Sequence, residues 1–323
     1  MASFIPIKTV EELAGYIPQT GPLQMRNQSF SDIEDDVLYH IALGKKSHDL
    51  KDMFHDVKFV CFGGSPNRMR SFAEYMVKAL NYKMPAGQDL CDIAHGSDRY
   101  VLYKVGPVLS VSHGMGMPSL SIIIHEIFKL LHHAECSDVT FFRLGTSGGL
   151  GLKPGTVIIT EEAVDGLLRP YMEVATLGMM LQHPSRLSHE VAQELLNLAD
   201  PNADFDTIIG KTMCTLDFYE GQARLDGFFC DYSKEDKMAF LRRVHNRGIK
   251  NIEMESLCFA AYCYRAGIKS AVVCVTLLDR MEGDQINVAH EVIEEWQQRP
   301  QRLVAAYIRK HLGIESNVSC NSI

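Results

Sequence analysis

The chain carries the stretch FVCFGGSPNRM at residues 59–69, and this stretch decides the fold class. Its apolar run predicts a buried strand over residues 57–62 that ends at two glycines. Pro66 suits the first turn of a helix, because its missing N–H is not needed there. Apolar side chains then follow at helical spacing from Met69 to Leu80. A strand, a short turn and an amphipathic helix in succession are typical of an α/β sheet.

The same alternation continues along the chain. Further strands are predicted at residues 100–105, 108–112, 139–144, 156–160 and 270–278, with another ending near 212–216, and further helices near 120–131, 187–199, 233–244, 254–266 and 290–311. This order predicts an α/β fold with helices on both faces of the sheet. No repeat or linker divides it, so we expect one domain over residues 35–313, a loosely ordered arm over 1–34 and a disordered tail over 314–323.

The composition excludes several classes of protein. The 323 residues include 46% hydrophobic and 22% charged residues, which is globular usage and not that of a disordered chain. A net charge of −8 argues against general binding to nucleic acid or to an anionic membrane. The nine cysteines form no C-x-x-C pair, and no signal peptide or membrane span is visible. We therefore expect a reduced, cytoplasmic protein.

Three glycine-rich segments follow predicted strands, at residues 63–66, 113–119 and 145–149. Turns of this kind let backbone N–H groups approach a ligand, although glycine in such a turn is often only geometry. None of them matches the dinucleotide pattern G-x-G-x-x-G or the P-loop pattern G-x-x-x-x-G-K-[ST]. Dehydrogenase and P-loop functions are therefore disfavoured.

Arginines accompany these segments. Arg68 and Arg99 lie near glycines, and Arg143 lies inside the apolar strand that precedes Gly145. A buried arginine is costly unless its charge is matched, so Arg143 alone suggests a salt bridge to a nearby aspartate. Three arginines beside Gly, Ser and Thr fit better with a pocket for an oxyanion such as phosphate.

A second polar group is Gln222-Ala223-Arg224. If this segment is extended, the side chains of Gln222 and Arg224 project from one face, ~6–7 Å apart. An amide with donors and an acceptor, next to a guanidinium with donors only, can bind the imide edge of a small heterocycle. The alternative is a polar surface turn.

A third group is NIEMES at residues 251–256. Its acids would suit the start of a helix, where negative charge complements the helix dipole. The functional alternative is a carboxylate that binds a sugar diol, with Met254 under the ring.

Together these stretches resemble the animal-type uridine phosphorylases of the nucleoside phosphorylase superfamily, over roughly residues 35–313. The matching motifs are residues 59–69, GSDRYVLY at 96–103, GPVLSVSHGMGMP at 106–118, RLGTSGG at 143–149, TMCTLDFYEGQARLDG at 212–227, residues 251–256 and VVCVTLLDRMEGDQIN at 272–287. The resemblance implies a mixed, partly barrel-like central sheet flanked by helices. It also implies reversible phosphorolysis of uridine, and of deoxyuridine, to uracil and a pentose 1-phosphate in pyrimidine salvage.

The resemblance implies roles for particular residues. Phosphate, the co-substrate, would be bound by Gly64, Arg68, Arg99, Arg143 and Thr146, with Arg68 supplied by a neighbouring subunit. Uracil would be bound by Gln222 and Arg224, with Phe218 against the ring, and ribose by Glu253, Met254, Glu255 and His40 of the partner chain. Gln222, Arg224 and Arg143 would be catalytic. The family implies a homo-oligomer built on a dimer with shared sites, and no metal or organic cofactor.

Two positions keep alternatives open. Ala223 stands where the family has glycine in Gly-Gln-Gly-Arg, which matters if the backbone there needs a positive φ. Asp279 lies near the place where purine-specific relatives carry a catalytic acid. A purine nucleoside phosphorylase or a nucleosidase on the same fold therefore remains an alternative, as does a non-catalytic nucleoside-binding protein.

Overall fold

The computed structural model describes residues 7–9, 21–84, 87 and 89–314. Its strands are β1 (Ile7–Thr9), β2 (Val37–Leu38), β3 (Leu43–Gly44), β4 (Phe59–Gly63), β5 (Leu102–Val105), β6 (Val108–Ser112), β7 (Thr140–Gly149), β8 (Val157–Val164), β9 (Tyr171–Thr176), β10 (Met179–Pro184), β11 (Thr207–Cys214), β12 (Ile249–Glu253) and β13 (Lys269–Asp279). The central sheet has the order β12-β11-β8-β13-β7-β4-β6-β5, with parallel and antiparallel neighbours. An added pairing of β12 with β7 closes part of it into a barrel, which confirms the predicted fold.

The helices are α1 (Leu50–Phe54), α2 (Pro66–Ala79), α3 (Gly116–His133), α4 (His189–Asn197), α5 (Lys234–Asn246), α6 (Ser256–Ala266) and α7 (His290–His311). They cover both faces of the sheet, and alternation along β4 explains how. Val60 and Phe62 lie in one buried apolar cluster with residues of α3 and α6, whereas Cys61 lies in a second cluster with residues of α2 and α7. Side chains alternate between the faces of a strand, so a strand buried on both faces is apolar throughout.

Local signals place several element ends. Pro66 is in the first turn of α2, as predicted. Ser233 and Asp236 form the predicted capping box at the start of α5, and α6 ends at Gly267, whose φ is 73°. These ends depend on contacts within a few residues, which is why the sequence specifies them.

Other features were not expected. The hairpin of β9 and β10 lies in the polar middle of the chain, where no strand was predicted, and β1 extends it to a three-stranded sheet. Within residues 21–34 of the arm, Leu23 is buried against the domain, and its N–H donates to Cys136 O at 3.0 Å. Residues 1–6 and 10–20 of the arm, and 315–323 of the tail, lie outside the described residues.

No helix in the described ranges is both long and apolar enough to cross a membrane. The eight cysteines that these ranges contain are free, and six of them are buried.

Candidate active site

Arg143 lies in the middle of β7, and its guanidinium is buried between two glutamates. Its Nη1 is 2.9 Å from Glu253 Oε2, and its Nη2 donates to Glu255 Oε2. Burial lowers the pKa of Arg143, but the charges of Glu253 and Glu255 outweigh it and raise the pKa above its ordinary value. The alternative of a buried salt bridge is therefore correct, with glutamates as partners and not an aspartate.

The glycines after Arg143 belong to β7 and do not form the turn that the sequence predicted. β7 continues to Gly149, paired with β13 on one side and β12 on the other. A Cβ atom on Gly145 would lie 2.5 Å from Arg143 Nη1, and one on Gly148 would lie 2.7 Å from Arg280 Cγ. Glycine is needed here because two arginine side chains pack against the strand, not because the chain turns.

A group of buried donors surrounds Gly64. A Cβ atom on Gly64 would lie 3.8 Å from His113 Cε1 and 3.9 Å from Arg68 Nη2. Arg68 Nε, both ring nitrogens of His113 and Arg143 Nε are buried with no hydrogen-bond partner among the residues that the structure describes. We call Gly64, Arg68, His113 and Arg143 the anion end of the site, because a bound oxyanion would satisfy the two guanidinium N–H groups and the one ring nitrogen of His113 that carries a proton.

Charge and burial shape the anion end. Burial, followed by the charge of Arg143, lowers the pKa of Arg68 and lowers that of His113 to about 3. His113 is therefore neutral at physiological pH, and one ring nitrogen carries a proton that it can donate. The structure places Arg68 near Arg143 and Gly64 of its own chain. That a neighbouring subunit supplies Arg68 to the site stays a prediction.

Glu253 and Glu255 differ in how many hydrogen bonds their carboxylate oxygens already accept within the chain. Glu253 accepts hydrogen bonds from the N–H groups of Glu255 and Ser256, each at 3.0 Å to Oε2, and from Ser256 Oγ at 2.5 Å to Oε1. It caps the start of α6 and holds Arg143, so its assignment to ribose is weakened. Glu255 accepts from the Gly116 N–H at 2.5 Å. Burial raises the pKa of Glu255, but the charge of Arg143 leaves it below its usual value, so Glu255 is anionic.

Gln222 and Arg224 face one cavity, though not through the extended backbone that was predicted. Residues 220–222 form a 3-10 turn, and Ala223 has a left-handed φ of 52°. Asp217 closes the turn, since its Oδ2 accepts from the Gly221 N–H at 2.9 Å. Gln222 is buried, and Arg224 is 8% exposed. The alternative of a polar surface turn is correct for the backbone but not for these two side chains.

Arg224 is held by a charge and by an aromatic ring. Its Nε and Nη2 donate to the two carboxylate oxygens of Asp226 at 2.8 and 2.7 Å. Its guanidinium carbon lies 4.4 Å from the ring centre of Phe218, within the range of a cation–π contact. The guanidinium plane is therefore fixed before any ligand arrives.

Sequence analysis missed Arg280 as a site residue. Arg280 is fully buried, and its Nη1 donates to Gln222 Oε1 at 3.3 Å and its Nη2 to Gln222 O at 2.8 Å. The sequence does show a charged residue directly after a buried strand. This signal is weak because the neighbouring Asp279 is charged as well, so the pattern does not single out Arg280. We call Gln222, Arg224 and Arg280 the base end of the site.

Asp279 itself points to backbone groups. Its Oδ1 accepts from the N–H groups of Gly151 and Met281, each at 2.9 Å. This arrangement stabilises the turn after β13. The carboxylate is not among the described groups that line the cavity, so nothing in its contacts favours a role as an acid toward a purine.

The cavity between these elements has a volume of about 390 Å³, which suits a small-molecule ligand. Its lining includes predicted residues of the base end and of the segment between the two ends, namely Thr146, Phe218, Gln222, Arg224, Glu253, Met254 and Glu255. It also includes Met115, Leu277, Leu278, Arg280 and Ile286, which give it apolar walls. Arg143 and the rest of the anion end lie outside this lining, and Arg143 is joined to it through its bonds to Glu253 and Glu255.

Five predicted site residues do not line this cavity, namely Gly64, Arg68 and Arg143 of the anion end, and His40 and Arg99. Among the described residues, His40 and Arg99 lie on one surface: the His40 ring is 6.4 Å from the ring of Tyr100, next to Arg99. His40 Nδ1 is 2.7 Å from Glu126 Oε1, and the Arg99 side chain is 67% exposed beside Asp98. Neither belongs to the cavity lining.

No three His, Cys, Asp or Glu side chains are grouped to hold a metal ion within the described part of the chain.

A sequence profile described as "Phosphorylase superfamily" matches residues 58–309. The chain belongs to this superfamily. Its predicted resemblance to uridine phosphorylases is confirmed: it is 52% identical to "Uridine phosphorylase 2" of Mus musculus over 295 residues, which are 91% of this chain and 92% of that protein. It is 38% identical to "Inactive uridine phosphorylase B" of Schistosoma mansoni over 89% of this chain and 96% of that protein.

The fold agrees with a solved relative. The crystal structure of uridine phosphorylase from Schistosoma mansoni in complex with uracil is 42% identical, with a TM-score of 0.84, and the match covers 90% of this chain and 100% of that one.

Proposed function

We propose that the protein is a pentosyltransferase that catalyses the reversible phosphorolysis of uridine, and of deoxyuridine, to uracil and a pentose 1-phosphate. The observation that carries this proposal is a cavity lined by the base end, with the chemically different anion end joined to its lining through the bonds of Arg143 to Glu253 and Glu255. Unsatisfied N–H donors and two arginines lie at the anion end, while a buried amide and two guanidiniums lie at the base end. The high identity to uridine phosphorylases over most of the chain supports the same reaction.

Phosphate would bind at the anion end, to Gly64, Arg68, Arg143 and Thr146. His113 adds a neutral donor next to Gly64, where it needs no counter-ion. A phosphate fixed by these groups beneath the sugar stabilises positive charge at C1′ and is already positioned to attack it. No nucleophilic side chain is required for this step.

Uracil would bind at the base end, against Phe218. The Gln222 amide and the Arg224 and Arg280 guanidiniums match an imide edge that presents carbonyl oxygens on either side of an N–H. As the glycosidic bond breaks, the base gains negative charge on these carbonyls. Fixed guanidiniums stabilise that charge more in the transition state than in the ground state, and this difference accelerates the reaction.

The ribose would lie between the ends, beside Met254 and Glu255. Glu255 is anionic, and one of its oxygens accepts from Gly116 while the other accepts from Arg143. Each carboxylate oxygen has a second lone pair, so Glu255 can still accept a hydrogen bond from a sugar hydroxyl. Glu253 would act mainly by holding Arg143.

We further propose a homodimer with shared sites. His40 and Arg99 lie together on one surface outside the cavity of their own chain. Across a two-fold interface this surface would meet the partner's cavity, where Arg99 would add charge to the phosphate and His40 a donor to the ribose. Mixing an Arg224→Ala chain with a His40→Ala, Arg99→Ala chain tests this, because a hybrid dimer would regain one intact site.

A non-catalytic nucleoside-binding protein is the second candidate, and the inactive Schistosoma relative gives it weight. A purine-specific enzyme is disfavoured because Asp279 bonds to backbone groups. Phosphorolysis in a cytoplasmic salvage pathway, with no metal or organic cofactor, remains our expectation.

An ultraviolet assay of base release distinguishes these functions. We expect uracil from uridine only when phosphate is present, and no base from inosine. Release without phosphate would indicate a nucleosidase. Uridine binding by calorimetry with no release under either condition would indicate a binding protein.

A further inference from the structure

We propose that Lys237, which lies outside the cavity, is a positioning residue that leaves one unbalanced positive charge at the base end and so assists departure of the uracil anion. This inference rests on the proposed function, in which the base end faces the uracil. It assigns to α5 a part in the chemistry, although the described lining of the cavity includes no residue of α5.

Lys237 stands in an unfavourable place for a lysine. It is 4% exposed and lies in the first turn of α5, after Ser233 at the N-cap. A buried ammonium loses its hydration, and the positive end of the helix dipole opposes it further. Its Nζ is 2.8 Å from Asp284 Oδ1. Both burial and the helix dipole therefore make Lys237 unfavourable for stability, and its ammonium contacts one carboxylate. From this we infer that its charge has a function.

Asp284 connects Lys237 to the base end. Its Oδ1 also accepts from Arg280 Nε at 3.0 Å, and its Oδ2 accepts from the Leu225 N–H at 3.0 Å. Its backbone oxygen accepts from Arg224 Nη2 at 2.5 Å. Asp284 is thus bonded to both arginines of the base end and to the ammonium of Lys237.

The ion pairs leave a surplus of positive charge. Arg224 is paired with Asp226, whereas Arg280 and Lys237 share Asp284. Three cations therefore meet two carboxylates. Without Lys237, Asp284 would balance Arg280; with Lys237, the charge of Arg280 is only partly compensated where its Nη1 contacts Gln222 Oε1.

Such a surplus acts on the step in which the base becomes an anion. The C1′–N1 bond breaks, the electron pair goes to the base, and phosphate forms the new bond to C1′. A residual positive charge near the base stabilises this state more than neutral bound uridine. The benefit should be larger for a poor leaving group than for a good one, because a good one stabilises its own charge.

The test compares Lys237→Met, Lys237→Gln and Lys237→Arg with uridine and 5-fluorouridine under single-turnover conditions. Fluorine withdraws electrons and makes the base a better leaving group. We expect Lys237→Met and Lys237→Gln to slow uridine cleavage by ~10–100-fold, less than loss of a direct oxyanion donor, and to slow 5-fluorouridine cleavage several times less. Lys237→Arg should retain most of the rate, and the phosphate KM should not change.

Lys234→Gln is the matched control, since Lys234 is an exposed lysine on the same helix; its rates should equal those of the wild type. Equal losses for both substrates would show a purely structural role and overturn the inference. If Lys237→Met does not fold, Lys237→Gln decides the matter, because it keeps a donor to Asp284 without the charge. Wild-type rates in Lys237→Gln would also overturn it.

Arg224→Ala in the same series separates this inference from the proposed function. A wild-type protein that releases no uracil would overturn both. An active wild type that Arg224→Ala impairs, with equal losses for the two substrates in Lys237→Gln, would overturn only the role of Lys237.

Discussion

The anion end and the base end of the site are built differently. The anion end stands on strands and a helix start in the buried core, and Arg143 sits in β7 with its charge matched by two buried glutamates. The base end stands on the loops after β11 and β13, where a chain of ion pairs fixes it and Phe218 is 43% exposed. We therefore expect substitutions at the anion end to lower the unfolding free energy most. Substitutions at the base end should instead lower kcat most.

The largest expected effect is at Arg143. Arg143→Met leaves two buried glutamates without their cation, which should destabilise the fold by ~3–5 kcal/mol. Urea unfolding measures this, and phosphate should no longer saturate any folded fraction. Arg169→Met is a control, because Arg169 pairs with Asp165 and Glu173 with 34% of its side chain exposed and should cost about 1 kcal/mol or less. Equal losses in the two variants would contradict the cost that we assign to leaving the buried glutamates without their cation.

The base end should show the opposite pattern. Arg224→Ala should lower kcat by ~10²–10³ through loss of one guanidinium from the developing uracil anion, with a smaller change in unfolding free energy than Arg143→Met. Steady-state kinetics and urea unfolding measure the two quantities. Arg242→Ala, at an exposed arginine of α5, is the control. A loss of less than about tenfold would remove Arg224 from its role.

The anion end should also control the acid sensitivity of the fold. His113 has a pKa of about 3 in the folded chain against an ordinary 6.5, so between these values the unfolded state binds one more proton. Its contribution to stability is complete above pH 6.5 and falls with decreasing pH by ~1.4 kcal/mol per pH unit.

His113→Asn should remove this dependence of the unfolding free energy on pH, measured by urea unfolding between about pH 4.5 and 6, which lies between the two pKa values. His290→Asn, at a ring that is 79% exposed, should leave it unchanged. An unaltered slope in His113→Asn would mean that His113 is not held neutral.

The smallest expected effect is at Ala223, between the two side chains that we propose bind the base. A left-handed φ of 52° strains alanine but not glycine. Ala223→Gly should therefore raise the unfolding free energy by ~0.5–1 kcal/mol. Leu177→Gly is the matched control, since Leu177 has a φ of 51° in the exposed turn between β9 and β10, outside the cavity. Both should stabilise, and only Ala223→Gly should alter the KM for uridine; a loss of stability in both would contradict the strain.

The sequence predicted what depends on neighbours along the chain. The apolar period of β4, Pro66, the Ser233 capping box and Gly267 act within a few residues, and the structure has each of them in place. Motifs identified Arg143, Gln222 and Arg224 as candidates because costly or paired polar residues stood out from their surroundings.

The features that could not be predicted from the sequence depend on residues that are distant along the chain. The pattern of glycines after Arg143 predicts a turn, whereas in β7 these glycines make room for Arg143 and Arg280. Arg280 and Lys237 could not be recognised, because both are joined to the site through Asp284, which no local pattern reveals. The hairpin of β9 and β10 was missed because its side chains are mostly half-exposed and show no apolar run.

The central claim is that the anion end and the base end act on one nucleoside at once. Phosphorus NMR of the protein with uridine and inorganic phosphate tests it most directly, with uracil followed in the same sample. We predict that a ribose 1-phosphate signal grows in step with uracil, one for one. Uracil without a phosphorylated sugar, or no uracil at all, would contradict the account.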